Sequence, residues 1–168
     1  MTRQALPLDP IAEAARLWTE HGWADAAPGM AAVTSLMRAH QLLLSRVEAV
    51  LRPLDVTFAR YEVLMLLVFS RRGTLPMSRI GARLQVHQTS VTNAVDRLES
   101  AHLVRRLPHP SDRRTTLIEI TDEGRAVAAT ATQRLNETVF ADPGITAEDT
   151  TSLVAILARL RREAGDFG

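Results

Sequence analysis

A chain of 168 residues, 46% hydrophobic and 23% charged, is long enough for one domain or one subunit of a compact dimer. It has no cysteine and no lysine, which excludes disulfides, thiolate chemistry, cysteine-based metal sites, a P-loop lysine and a Schiff-base lysine. The net charge of +1 hides an asymmetry: residues 71–114 hold nine arginines against three acids, a surplus of +6, while the remainder carries −5. A basic segment in an acidic remainder is the footprint of a surface that contacts phosphate, although chance clustering on a solvated face gives the same count. No apolar run approaches the roughly 20 residues of a membrane span. The opening MTRQALPLDP has no apolar signal core, so a cytoplasmic location and no membrane partner are expected.

Asp9-Pro10 reads as the start of a helix, with Asp9 as the cap and Pro10 in the first turn. That helix runs to about Glu20 and ends at His21-Gly22-Trp23, with residues 24–29 as a short linker. A long helix is expected from about Met30 to Arg52, where Val33, Leu36, Met37, His40, Leu43, Leu44, Val47, Val50 and Leu51 recur at helical spacing and Pro53 stops it. Thr57 looks like the cap of the next helix, with Val56 and Tyr61 spaced as a hydrophobic staple.

Pro76–Leu84 reads as a short helix, Gln85-Val86-His87 as a tight connection and Gln88–Ala101 as a second helix. Val91, Val95 and Leu98 form the inner face of the second helix. Opposite them lie Gln88, Thr89, Thr92, Asn93, Asp96 and Arg97. Two short helices joined this closely read as a helix-turn-helix, with Gly81 letting the backbones approach. Leu103–Leu107 and Thr115–Ile120 are strand-like, and the polar, proline-stiffened stretch 108–114 between them makes a hairpin, or wing. Thr121 caps a helix to about Phe140, and Asp142-Pro143-Gly144 breaks it. Thr146 through Asp149 match a capping box for a last helix, whose apolar stripe is Leu153, Ile156, Leu157 and Leu160. The fold class is therefore mainly α with a small β-wing.

The run from Leu84 to Gly124 resembles the winged helix-turn-helix of the MarR family (multiple antibiotic resistance regulators). The resemblance is carried by Val91-Thr92, Asp96-Arg97-Leu98-Glu99, Leu103-Val104, Asp112-Arg113-Arg114 and Thr121-Asp122-Glu123-Gly124, and extends over about residues 30–165. His102 stands where the family usually has a glycine. The resemblance implies a homodimer built by N- and C-terminal dimerisation helices. It divides the chain into an N-terminal helical extension (1–28), a dimerisation helix (29–55), a DNA-binding lobe (56–120) and C-terminal dimerisation helices (121–168). It implies a transcriptional regulator, a repressor, released from double-stranded DNA by a small anionic or aromatic ligand. A two-fold dimer in turn implies a palindromic operator.

In such a protein the helix from Gln88 enters the major groove. Gln88 and Asn93 are candidates for adenine edges, and Arg97 for guanine or phosphate. Thr89, Ser90 and Thr92 suit phosphates or thymine methyls, and His87 a phosphate. Arg113 is the candidate for the minor groove, with Arg114 beside it and Asp112 supporting the wing rather than touching DNA. For each polar residue the plain alternative is a solvated helix face.

Candidate ligand residues are Trp18, Trp23, His40, Arg60, Tyr61 and Glu62, each of which also has an ordinary packing or surface explanation. The urate- and organic-acid-responsive branch of the family carries an arginine in the recognition helix where this chain has Ala94, so that ligand is not carried across. Absent cysteines exclude a thiol peroxide sensor. The five histidines show no metal-ligand spacing, and no cofactor is expected. Ser78, Ser90, Ser111 and the histidines form no nucleophile-elbow pattern, so an enzyme is not expected. A non-specific or architectural DNA-binding dimer, or a winged helix that binds protein, remains open at this level because fold does not fix function.

Overall fold

A computed structural model of the chain describes residues 6–85, 87–112 and 114–168; the side chain of Gln88 is also outside the description. The chain forms two compact units, one ending at Ala49 and one running from Val50 to Gly168.

In the first unit, α1 spans Pro10–Glu20, and the Asp9 carboxylate accepts the Ile11 N–H (2.9 Å) at its start. Arg16 bridges Glu13 and Glu20 on its exposed side. Trp23 meets Trp18 edge to face, with ring centroids 5.2 Å apart, and His21 stacks on Trp23 at 5.9 Å. α2 spans Ala27–Leu51, so it begins three residues earlier than the sequence suggests. The reason is Pro28, which fits a first helical turn because its missing N–H would have no partner there. Val33, Leu36, Met37, Leu42, Leu43 and Leu44 of α2 are all exposed.

The second unit begins with a 3-10 turn over Arg52–Leu54 and the left-handed Asp55 (φ 54°). Thr57 caps α3 (Phe58–Val68), which buries Tyr61, Val63, Leu64 and Leu67. Pro76 belongs to a strand and not to the following helix: β1 is Thr74–Pro76 and α4 is Met77–Leu84. α5 covers Gln88–Ser100, β2 Val104–Pro108 and β3 Thr116–Ile120. All strand pairs are antiparallel, in the order β1-β3-β2, with Leu75 opposite Ile118 and Leu107 opposite Leu117. Leu64, Leu67, Ile80, Val91, Val95, Leu98 and Ile118 are the sealed core beneath this sheet and its helices.

α6 is Asp122–Leu135 and passes into a π-helical segment, Asn136–Phe140, where a continuous α-helix was expected. Its start is fixed to β2. The Thr121 hydroxyl accepts the Gly124 N–H and donates toward the carbonyls of His102 and Leu103. A Cβ on Gly124 would lie 2.0 Å from the Leu103 carbonyl oxygen, so only glycine permits this approach. α7 spans Ala147–Glu163; Thr146 accepts the Asp149 N–H and donates to its carboxylate (2.7 Å). α7 buries none of its residues within the chain. Among the described residues, no helix is long and apolar enough to cross a membrane, and no buried side-chain nitrogen or oxygen lacks a partner.

Candidate nucleic-acid interface

The helix-turn-helix is held by its turn. Gln85 is left-handed (φ 53°), and its amide donates to the Asp166 carbonyl near the chain end (2.6 Å). Val86 lies outside the described residues. His87 caps α5: its Nδ1 accepts the Thr89 N–H (3.3 Å), which leaves Nε2 as the free ring nitrogen. Val91, Val95 and Leu98 then anchor α5 in the core, with Thr89, Ser90, Asn93 and Arg97 exposed on the other side and Thr92 half-buried.

Two acids on this helix could repel phosphate, and both are tied to the sheet. Arg106 of β2 reaches Asp96 Oδ1 (2.5 Å) and Glu99, and its backbone N–H donates to Glu99 Oε1 (3.1 Å). One guanidinium pairs with both carboxylates, offsets one of their two charges and fastens α5 to the wing strand. Arg97, between them in sequence, makes no ion pair among the described residues and shares an open polar depression with Asn93, Asp96 and Ser100.

The wing tip is organised by side-chain acceptors. His109 Nδ1 takes the N–H groups of Ser111 (3.3 Å) and Asp112 (3.2 Å). The Asp112 carboxylate takes the Thr115 hydroxyl (2.6 Å) and the Arg114 N–H (3.0 Å). Those two hydrogen bonds, the hydroxyl foremost, hold the Asp112 carboxyl below the usual carboxylate range. Arg114 is exposed, and Arg105 pairs with Glu119 across the hairpin. Arg113 lies outside the described residues.

A helix-turn-helix with a polar outer face, followed directly by a two-stranded wing, matches known proteins along most of the chain. The sequence model of the MarR family matches residues 56–116. The HTH-type transcriptional regulator PecS of Dickeya dadantii (strain 3937) is 33% identical over 130 residues, 71% of this chain and 78% of PecS. The chain belongs to the MarR family. Sco5413, a MarR family transcriptional regulator of Streptomyces coelicolor, superposes with a TM-score of 0.76 at 52% identity, over 83% of this chain and 97% of Sco5413. Sco3205 of the same organism, solved in complex with DNA, gives a TM-score of 0.69 at 28% identity, over 79% of this chain and 84% of Sco3205. The protein is thus a MarR-family transcriptional regulator and not an enzyme.

The candidate ligand residues of this regulator are dispersed. In the first unit Trp18 is half-buried, and Trp23 and His40 are exposed. In the second, Arg60 turns to the Asp55 carbonyl (3.2 Å). Tyr61 and Glu62 come together: both line a cleft of about 420 Å³ with Phe58, Leu66 and Phe140. The Tyr61 hydroxyl shares a hydrogen bond with Thr132 of α6 (3.0 Å), and burial pushes the Glu62 carboxyl up. A second cleft of about 620 Å³ adjoins it between α3 and α6, where Met65, Thr132 and Asn136 line both. Sequence reasoning missed the Arg106 clamp, whose partners lie 7 and 10 residues away. Its only trace is the pair of acids, Asp96 and Glu99, on a helix in the basic stretch 71–114.

Proposed function

We propose that this MarR-family regulator works as a homodimer that binds a palindromic operator through α5 and the wing, represses transcription, and lets go when a small anionic or aromatic ligand binds. The observation that carries the reading is the outer face of α5. Its exposed Thr89, Ser90, Asn93 and Arg97 stand on a sealed apolar base, while Arg106 pairs with Asp96 and Glu99 and offsets one of their two charges. A helix presented this way fits the major groove, where an amide pairs with adenine and a guanidinium with guanine. Asn93 and Arg97 are the base readers, and Gln88 joins them. His87, Thr89, Ser90, Thr92 and Arg114 hold phosphates. Arg113 enters the minor groove, and Asp112 keeps the tip in shape. That Sco3205, which shares the fold, was solved in complex with DNA supports DNA binding by this chain.

Dimerisation is supported by exposed apolar side chains that a lone subunit leaves in water. On α7, Leu153, Ile156 and Leu160 are exposed and Leu157 is half-buried. Ligand control is supported by the Tyr61–Glu62 cleft, which combines aromatic walls with a titratable group. Trp18, Trp23, His40 and Arg60 remain ligand candidates.

The test is fluorescence anisotropy on DNA beside the protein's own gene, with excess random competitor and several salt concentrations. A tight, competitor-resistant complex with a two-fold symmetric footprint is expected. Arg97→Ala and Arg113→Ala should each weaken it by about 1–3 kcal/mol per subunit without unfolding the protein. Equal affinity for operator and random duplex would leave a non-specific DNA-binding dimer instead. The same assay then screens small acids and phenols for release.

A further inference from the structure

Between the turn after α3 and the wing tip, a second concentration of positive charge faces one concavity. The turn after α3 supplies Arg71 and Arg72, α4 supplies Arg83 and the wing supplies His109; with Phe69 and Leu117 they line a cleft of about 500 Å³ at the edge of the sheet. No acidic side chain is among the described residues that line it. All three arginines are exposed, and none makes an ion pair among the described residues. The contrast with the adjoining strand is direct: Arg105 has Glu119, and Arg106 has Asp96 and Glu99.

Three guanidinium groups around one opening repel each other, and a protein with 19 acids has placed none there to relieve it. His109 adds to the set. Its Nδ1 is engaged as an acceptor for the wing backbone, so the ring's other nitrogen is left as a donor. Phe69 at the rim is 73% exposed, which leaves an apolar side chain beside the cations with no cover of its own. Everything charged in this cleft donates hydrogen bonds, and forked N–H groups match tetrahedral oxyanions with several acceptor oxygens.

We propose that this cleft is a phosphate-binding site. Two sources supply that chemistry: a backbone phosphate of DNA beyond the contacts of α5 and the wing, or a free phosphate-bearing small molecule. The first source rests on the operator reading above; the second does not.

The experiment uses the full chain, the double variant Arg72→Ala/Arg83→Ala and, as a control, Arg105→Ala. One arm measures how binding to operator and to random duplex depends on salt. The other follows amide and imidazole resonances of DNA-free protein during titration with inorganic phosphate and with pyrophosphate at constant ionic strength. If a backbone phosphate is the ligand, the double variant has a shallower slope of log K against log salt, by roughly 1–2 units at about 0.9 per lost contact, on both duplexes. Arg105→Ala keeps the wild-type slope. If a free anion is the ligand, the two phosphates shift resonances of residues 69–74 and His109 saturably, and the double variant abolishes the shift. An unchanged salt slope together with no saturable shift in the wild-type protein overturns the proposal. Should the wild type bind no DNA, the operator reading falls and the phosphate titration alone decides the cleft. Should the double variant unfold, the single exchanges Arg72→Gln and Arg83→Gln take its place in both arms.

Discussion

His102 holds a left-handed backbone position (φ 59°) immediately after α5 ends, where its N–H donates to the Glu99 carbonyl (2.9 Å) and its own carbonyl receives the Thr121 hydroxyl (2.9 Å). A residue with a Cβ is strained there, and glycine is not. His102→Gly should therefore raise unfolding stability by about 0.5–1 kcal/mol, seen as a higher urea midpoint at unchanged slope. A lower midpoint would show that the imidazole contributes more than its backbone costs. Glu62 is a second residue whose environment sets a measurable property. Its folded-state pKa is raised by burial, so the fold favours the protonated carboxyl. Stability from this group is complete below the ordinary carboxylate range, near about pH 4, and is lost as pH rises through the raised value. Glu62→Gln should accordingly raise the melting temperature at pH 7, with the advantage over wild type closing as the pH is brought below 4. A constant difference across that range would mean that ionisation of Glu62 is irrelevant to the fold.

Between elements, the Arg106 clamp joins α5 to β2 and also offsets part of the negative charge on α5, the helix proposed to face DNA. Arg106→Ala should cost about 1 kcal/mol in stability, as expected for partly exposed ion pairs. Its larger effect should be on operator affinity, because Asp96 becomes an unscreened anion near phosphate. Asp96→Asn placed in the Arg106→Ala background should recover part of that affinity; failure to recover any would assign the loss to helix loosening, which hydrogen exchange in α5 would register. This clamp was not legible in the sequence, since it joins residues that only the hairpin brings together. The caps were legible, because a cap is local: Asp9, Thr57, Thr121 and Thr146 each sit at a helix start and bond to it as their side chains dictate. β1 was not, because three residues too short to alternate become a strand only when β3 lies beside them. The π-helical turn at Asn136–Phe140 has no signature in composition, and it brings Asn136 and Phe140 to the cleft that holds Tyr61 and Glu62. In the candidate interface, the outer face of α5 was readable from its periodicity. The cleft of Arg71, Arg72 and Arg83 was visible only as an excess of charge without a location.

At the scale of the molecule, the chain leaves much of its apolar surface uncovered. Ile156 and Leu160 of α7 are each 53% exposed, and α2 exposes a run of aliphatic side chains of its own. Leu160→Glu should put a charge into the subunit contact and weaken dimerisation by at least about a hundredfold, given the several kcal/mol that a buried unpaired carboxylate costs. Sedimentation equilibrium reads this directly, and operator affinity should fall with it. A variant that remains dimeric would move the subunit contact away from α7. A protein with this much exposed apolar surface risks associating in the wrong way, and its sheet offers one route: both outer strands have free edges. Each of those strands ends in proline, Pro76 on β1 and Pro108 on β2, while β3 is enclosed between them. Proline has no N–H to offer an incoming strand. Neither border of the sheet can therefore be extended over its full length by a neighbouring chain. Copies of the chain that meet in a crowded cell are hindered from fibril-like stacking through these strands, which leaves the exposed helix faces for the proposed pairing.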